Sequence, residues 1–509
     1  MDLSVWIERH AAFTPARTAL VCGERRLGYA DLAHDVRRTT AALAAQGVRS
    51  GDRVAHVGYN GIEAISLLFA CARLGAVFAP LSWRLAPPEH RAMLADCRPR
   101  VLVASEPFVR DLVPVVDAKA IRSVALAAPP AGWIDYASFI AAGDACTPRP
   151  RDAGATSSVL LCYTSGSTGQ PKGVVLTQDA LLCNAINSAH MHDLTSRDVV
   201  LTTLPLFHVG GLNIQTLPAL HCGGTVVLHP RFEPGAVIDA FERNGITLTV
   251  LVPAQLELLA REPRWRESHL SQLRAITTGS TIISEAFVRR DLQRGLPLLQ
   301  VYGATETCPI AAYQRVDDAP SHPGSIGKPA LHCEVRIVDE SGRDAAPGET
   351  GEILVRGTNV MRGYWNKPRE SDEAIAGGWY RTGDVAHADA EGWLYVDGRR
   401  RDVIISGGEN VYPAEIENAL ADCASIAEVA VVGRADERWG EAVVAIVVPA
   451  AGATLSADAI AKMLEGRIAR FKFPRDVIFV DALPRTALGK VKREDLRRLA
   501  QREPVAGLA

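Results

Sequence analysis

A polar run set between two apolar ones constrains this chain more than any other stretch: Tyr163-Thr-Ser-Gly-Ser-Thr-Gly-Gln-Pro-Lys-Gly173. Val159, Leu160 and Leu161 precede it and Val174, Val175 and Leu176 follow, so it reads as a loop joining two β-strands. Gly166 and Gly169 permit positive φ and close backbone approach, which lets successive N–H groups converge on an anion. Thr164, Ser165, Ser167 and Thr168 add hydroxyl donors, and Lys172 adds a full positive charge. Four hydroxyls, two glycines and a lysine within nine residues separate this run from an ordinary solvated Gly/Ser turn and suit a polyphosphate. A Walker A loop is excluded, because Lys172 lies between Pro171 and Gly173 ahead of an apolar run instead of opening a helix.

The surrounding chain alternates strand and helix. Leu32, Val36 and Leu43 recur at helical spacing over residues 32–46, which stop at Gly47. A strand is expected over 53–58, a helix over Ile62–Leu74 closed by Gly75, and a strand over 76–81. The alternation returns as a strand at Thr225–Leu228, a helix at 234–244 and a strand at 246–252, predicting parallel sheets covered by helices, with ligands at the carboxyl ends of strands. From about Pro323, short strands (Glu334–Val338, 352–355, 393–396) alternate with Gly- and Asp-rich turns, as in a small β-rich subdomain. After the charged segment Asp397-Gly-Arg-Arg-Arg-Asp402, the pattern predicts a helix from Pro413 to about Leu420. Strands at 428–432 and 443–448, a helix over 457–470 and a strand at 477–480 complete it. The expected fold class is therefore α/β: a large N-terminal domain (1–397) of βαβ-type sheets plus a β-rich subdomain, a hinge at 398–402, and a small α+β C-terminal lid (403–509).

Composition narrows the function classes. The 509 residues carry 55 basic and 58 acidic side chains, a net charge of −3, which gives no reason to expect nucleic acid or an anionic membrane as a partner. Ten cysteines are scattered without a C-x-x-C pair, against a zinc site or disulfide framework and for a reducing compartment. The charged N-terminus lacks the apolar core of a signal peptide, and no apolar run reaches the roughly 18 residues of a membrane span. A cytoplasmic protein is expected.

Three further motifs carry chemistry. Tyr302-Gly-Ala-Thr-Glu306 follows the apolar run 298–301 and so sits at a strand end; Thr305 can donate to a phosphate, and Glu306 can hold Mg²⁺ through oxygen. Tyr380-Arg-Thr-Gly-Asp384 places a carboxylate after a glycine turn, able to accept from both hydroxyls of a ribose. Pro484-Arg-Thr-Ala-Leu-Gly-Lys490 ends in a lysine near the C-terminus. With the 163–173 loop, these resemble the signature motifs of the adenylate-forming (AMP-binding) enzymes, and the chain looks like the acyl- and aryl-CoA ligase branch of that family.

The resemblance implies an ATP-dependent carboxylate–CoA ligase using ATP, Mg²⁺ and coenzyme A. ATP would be held by Thr164, Ser165, Gly166, Ser167, Thr168, Gly169 and Lys172, by Tyr302, Gly303, Thr305 and Glu306, and by Asp384, Arg399 and Lys490, with Glu306 as the metal ligand. Lys490 would bridge the attacking carboxylate and the α-phosphate, acting with Thr305 and His208. Pro205-Leu-Phe-His208 resembles the segment whose histidine gates the acid pocket; Gly210, Gly211, Ile214, Thr278, Gly279 and Ser280 would line it, and Ile282, Ile283 and Cys308 would shape it. No fixed charge is evident there, which favours an uncharged acyl or aryl group. Ser406, Gly407, Gly408 and Glu409 resemble the loop lining the pantetheine tunnel, and Trp439, Phe471 and Arg475 align with residues that meet the CoA nucleotide. The hinge position, commonly Asp or Lys in the family, is Arg401 here. Aromatic acids and medium-chain fatty acids both remain open as substrates. A carrier-protein loading enzyme, a luciferase-like oxygenase and a non-catalytic nucleotide sensor are the rivals, and a homodimer is the assembly considered.

Overall fold

The computed structural model describes residues 2–144, 153–164, 171–267, 270–279, 285–339, 341–399, 404–411, 413–421, 423–484, 491 and 493–502. The chain divides into two compact units, one of residues 1–83, 94–163 and 173–398, the other of 84–93, 164–172 and 399–509.

Two large sheets organise the first unit. Among the described residues one sheet has eight strands, with the parallel strands Arg53–Val57, Val77–Leu81, Val101–Ala104 and Ser158–Thr164 at its heart. Every residue of Val77–Leu81 and of Val101–Ala104 is buried, as parallel strands covered on both faces require. The other has nine strands, in which Val199–Thr202, Leu248–Val250, Ala275–Thr278 and Leu298–Gly303 run parallel in that spatial order. The expected helix Ile62–Leu74 forms with those bounds and is almost wholly buried; it stops at Gly75, whose φ of +68° is cheap only for glycine. A five-stranded sheet supplies the β-rich subdomain, with Glu334–Val338, Gly351–Arg356 and Trp379–Ala388 antiparallel.

The second unit is α+β. Ile426–Asp436 and Gly440–Pro449 form a long antiparallel pair, Asp476–Phe479 adds in parallel, and helices Pro413–Ala421 and Ala457–Leu464 pack a separate apolar core around Ile416, Leu420, Val443, Ile460 and Leu464. The helix expected over 457–470 is shorter than predicted. Leu464 ends it, Gly466 takes φ +71°, and a 3₁₀ turn at Arg470–Lys472 follows. Apolar residues keep helical spacing past that point, but the left-handed glycine redirects the backbone. Among the described residues no helix is long and apolar enough to cross a membrane.

Candidate active site

Two of the motifs expected to bind ATP meet in the first unit. Leu298–Gly303 delivers Tyr302, whose hydroxyl donates to Asp384 Oδ2 at 2.8 Å. Gly303 is required by packing, since a Cβ there would stand 1.5 Å from the Pro309 carbonyl oxygen. A 3₁₀ turn, Thr305–Thr307, then presents Thr305 and Glu306 partly exposed. Glu306 is held from both ends: Tyr364 Oη donates to its Oε1 at 2.8 Å, and its carbonyl accepts from the Met361 N–H at 2.7 Å.

Asp384 arrives differently from the expected glycine turn. It lies within the strand Trp379–Ala388, where Gly383 has φ +72° and the register against Gly351–Arg356 shifts, so the local feature is a bulge. Thr382 fixes that bulge by donating to the Ile353 carbonyl at 2.8 Å and accepting from the Asp384 N–H at 3.0 Å. A bulge re-aims one side chain without breaking the strand, which is how Asp384 meets Tyr302. Buried Tyr380 records both carboxylates: burial first, then the charges of Glu306 and Asp384 among its neighbours, push its hydroxyl well above the usual range, so it stays protonated. Glu306 offers a carboxylate oxygen of the kind that Mg²⁺ prefers.

Flanking the phosphate loop, Tyr163 donates to Asp96 Oδ2 at 2.6 Å. In the second unit the Thr164 hydroxyl, expected to face phosphate, reaches the Lys172 carbonyl at 3.4 Å. Ser165, Gly166, Ser167, Thr168, Gly169, Ser280, Ile282, Ile283, Arg401 and Lys490 lie outside the described residues, and for Arg399 the description stops at its backbone in the strand Leu394–Arg399.

The proposed acid pocket gathers on three elements of the first unit. His208 caps the short helix Val209–Asn213, partly exposed, its ring 4.5 Å from that of Phe207. The two glycines that follow are not equivalent. A Cβ on Gly211 would meet the Pro205 carbonyl oxygen at 2.3 Å, so Gly211 is structural; one on Gly210 would sit in ordinary contact with the Ile214 and Leu204 methyls at 3.9 Å. Thr278 ends the strand Ala275–Thr278 and Gly279 follows it, and Cys308 is fully buried at φ +73°.

Of the residues expected to meet CoA, the second unit brings the 406–409 segment, Trp439 and Arg475 together. Ser406 and Glu409 pair across a two-residue hairpin turn in which Gly407 (φ +60°) and Gly408 (φ +82°) both have the positive φ of a type I′ turn. Gly407 donates to the Trp439 carbonyl at 2.8 Å, and a Cβ there would stand 2.9 Å from the Trp439 ring. The Arg475 and Arg438 guanidinium carbons lie 4.0 and 4.8 Å from the centre of that ring. Burial first, then the positive charge of Arg438, lowers the Arg475 pKa, against the opposing charge of Asp436. Glu409 is paired with Arg84 of the same unit, and Phe471 packs on the core beside Lys472.

A model of the AMP-binding enzyme family matches residues 7–365, and one of the AMP-binding enzyme C-terminal domain matches residues 415–490. The chain belongs to the AMP-binding enzyme family. An indoleacetate–CoA ligase of Aromatoleum aromaticum is 56% identical, covering 99% of each chain. A feruloyl-CoA synthase of Amycolatopsis is 41% identical over 97% of this chain and 98% of the relative. Among solved structures, o-succinylbenzoate CoA synthetase of Bacillus subtilis, bound with a product analogue, superposes with a TM-score of 0.87 at 32% identity, covering 97% of this chain and 98% of that one. This family member is an ATP-dependent acid–CoA ligase that works through an acyl-adenylate and uses ATP, Mg²⁺ and CoA.

Several supporting residues escaped the sequence reading. Tyr364, which orients Glu306, and Asp96, which holds Tyr163, are far along the chain from the groups they serve. Another group did leave a signal: Asn184, Ser188 and His192 recur every fourth residue on the buried helix Gln178–His192, a polar stripe where an apolar one is ordinary.

Proposed function

We propose that the acid activated is an arylacetate with a flat, uncharged ring system of the indoleacetate class. The observation that carries this is the uncharged lining itself: Ile214 and Thr278 are buried, and the face of Gly210 looks onto the Ile214 and Leu204 methyls, which suits apolar contact with a planar ring and offers it no ion pair. The 56% identity to the indoleacetate–CoA ligase points the same way.

In the first half-reaction one carboxylate oxygen of the acid attacks the α-phosphorus of ATP, forming acyl-AMP and releasing pyrophosphate. Asp384, positioned by Tyr302, would accept from the ribose hydroxyls, and Thr305 would donate to the α-phosphate. Mg²⁺, held by Glu306, would neutralise charge on the phosphates. Lys490 would bridge the two reacting anions. In the second half-reaction the CoA thiol, losing its proton, attacks the acyl carbon and AMP leaves. Trp439, Phe471 and Arg475 would then meet the CoA nucleotide, and the 406–409 hairpin its pantetheine. The C-terminal domain (403–509) would turn about 398–402 between the two steps, with Arg401 as pivot. The described cysteines are free thiols, in keeping with work in the cytoplasm.

A pyrophosphate-release screen with CoA present tests this. Indoleacetate is expected to give the highest kcat/KM against phenylacetate, ferulate and octanoate. A preference for octanoate, or for a phosphopantetheinylated carrier protein over CoA as acceptor, would overturn it.

A further inference from the structure

We infer that His192, Gln215 and Thr277 form a buried positioning network that sets the shape of the acid pocket and thereby its choice of acid. The inference rests on the proposed pocket at Gly210, Ile214, Thr278 and Gly279.

The network starts from helix Gln178–His192, whose polar stripe grips the pocket elements from behind. Asn184 Nδ2 donates to the Asn213 carbonyl at 2.6 Å, and the Ser188 hydroxyl donates to the Ile214 carbonyl. One turn on, His192 lies with Nδ1 2.8 Å from the Ser188 carbonyl and Nε2 2.7 Å from Thr277 Oγ1. Gln215 Nε2 closes a triangle, 3.1 Å from both His192 Nε2 and Thr277 Oγ1.

The partners assign the protons. A carbonyl only accepts, so His192 Nδ1 carries the hydrogen and Nε2 must accept from Thr277 or Gln215. That neutral tautomer agrees with burial, which holds the imidazole pKa down at about 4. His192, Thr277 and Ser188 are fully buried, and Gln215 is 1% exposed. Each tie ends next to a pocket residue: Gln215 follows Ile214, and Thr277 precedes Thr278 and Gly279. The triangle therefore couples the short helix carrying Gly210 and the segment carrying Ile214 to the strand end carrying Thr278. Polar ties between neighbouring elements are directional, whereas apolar packing there would let the wall slide by fractions of an ångström.

Thr277→Val removes the hydroxyl and keeps the shape. The variant is expected to raise KM for indoleacetate about tenfold, the scale of one buried hydrogen bond lost. Its preference for indoleacetate over phenylacetate should fall, while KM for ATP and for CoA stays within twofold. Thr277→Ser should restore native values. A lowered melting temperature with native acid preference would mark the triangle as merely structural and overturn the inference. If Thr277→Val does not fold, Gln215→Leu, which leaves the Thr277–His192 bond, is expected to shift the preference in the same direction, and native preference there overturns it equally. Ile214→Phe separates the two readings. Altered acid preference in Ile214→Phe with none in Thr277→Val refutes the network alone; native preference in Ile214→Phe refutes the pocket on which it rests.

Discussion

Lys472→Met probes the most heavily invested interaction of the second unit. Lys472 is 4% exposed, its Nζ 2.8 Å from Glu89 Oε1 and 2.9 Å from Glu415 Oε2, so one ammonium neutralises two carboxylates in a nearly dry site. Methionine fills much of the same volume without charge and leaves the two carboxylates facing each other. Removing one partner of a buried ion pair costs about 3–5 kcal/mol, because the remaining charge is stranded. The pH dependence has a definite sign. Burial first raises the Glu415 pKa, Lys472 draws it back, and Glu89 raises it again. A carboxyl with a folded pKa above its unfolded value binds more protons folded, so the stability it contributes falls as pH rises through that window. Without Lys472 the upward shift grows, and Glu415 can take a proton in mild acid and shed its charge. The cost should therefore be about 3–5 kcal/mol at pH 8 and well under half of that at pH 5. For a unit of this size that is a midpoint lowered by more than about 10 °C at pH 8, read by calorimetric thermal unfolding. Glu415→Gln added to Lys472→Met should recover part of the loss. A pH 8 midpoint within about 2 °C of native, or a loss equally large at pH 5, would refute the reasoning.

Three other outcomes are expected. Lys490→Ala should abolish acid-dependent pyrophosphate release while sparing thioester formation from supplied acyl-AMP; an equal fall in both would defeat the two-step assignment. Gly407→Ala places a Cβ at φ +60° and 2.9 Å from Trp439, so about 1–2 kcal/mol of strain should appear as a raised KM for CoA, with ATP–pyrophosphate exchange unchanged. His56 and His192 are both buried with pKa held down at about 4, so each contributes stability that is complete above about pH 6.5 and lost as pH falls toward 4. Urea midpoints should accordingly drop steeply between pH 6.5 and 4.5, with the His56→Gln variant showing a shallower slope.

Much of the fold was legible because its signals are local. Helix Ile62–Leu74 announced itself by apolar content and a closing glycine, and the strands Thr225–Leu228 and Glu334–Val338 by short apolar runs between turns. Reading failed where a local signal was overridden. The helix predicted over 457–470 ends at Leu464 because Gly466 turns left-handed, and the supposed turn before Asp384 is a bulge inside a ten-residue strand. In the candidate site, Glu306, Asp384 and Trp439 were singled out through the family resemblance, whereas Tyr364, Gln215 and Thr277 were not.

The sequence by itself determined the parallel α/β plan and supplied the kinds of groups able to hold a nucleotide. These follow from periodicity and side-chain chemistry, which act over a few residues. Only the tertiary structure decided which of two adjacent glycines could carry a side chain, with Gly211 pressed on the Pro205 carbonyl and a Cβ on Gly210 in ordinary contact with the Ile214 and Leu204 methyls. It alone brought Asp384 to Tyr302 across 82 positions and His192 to Thr277 across 85. Buried polar atoms must find partners wherever packing puts them, and packing is a property of the whole fold.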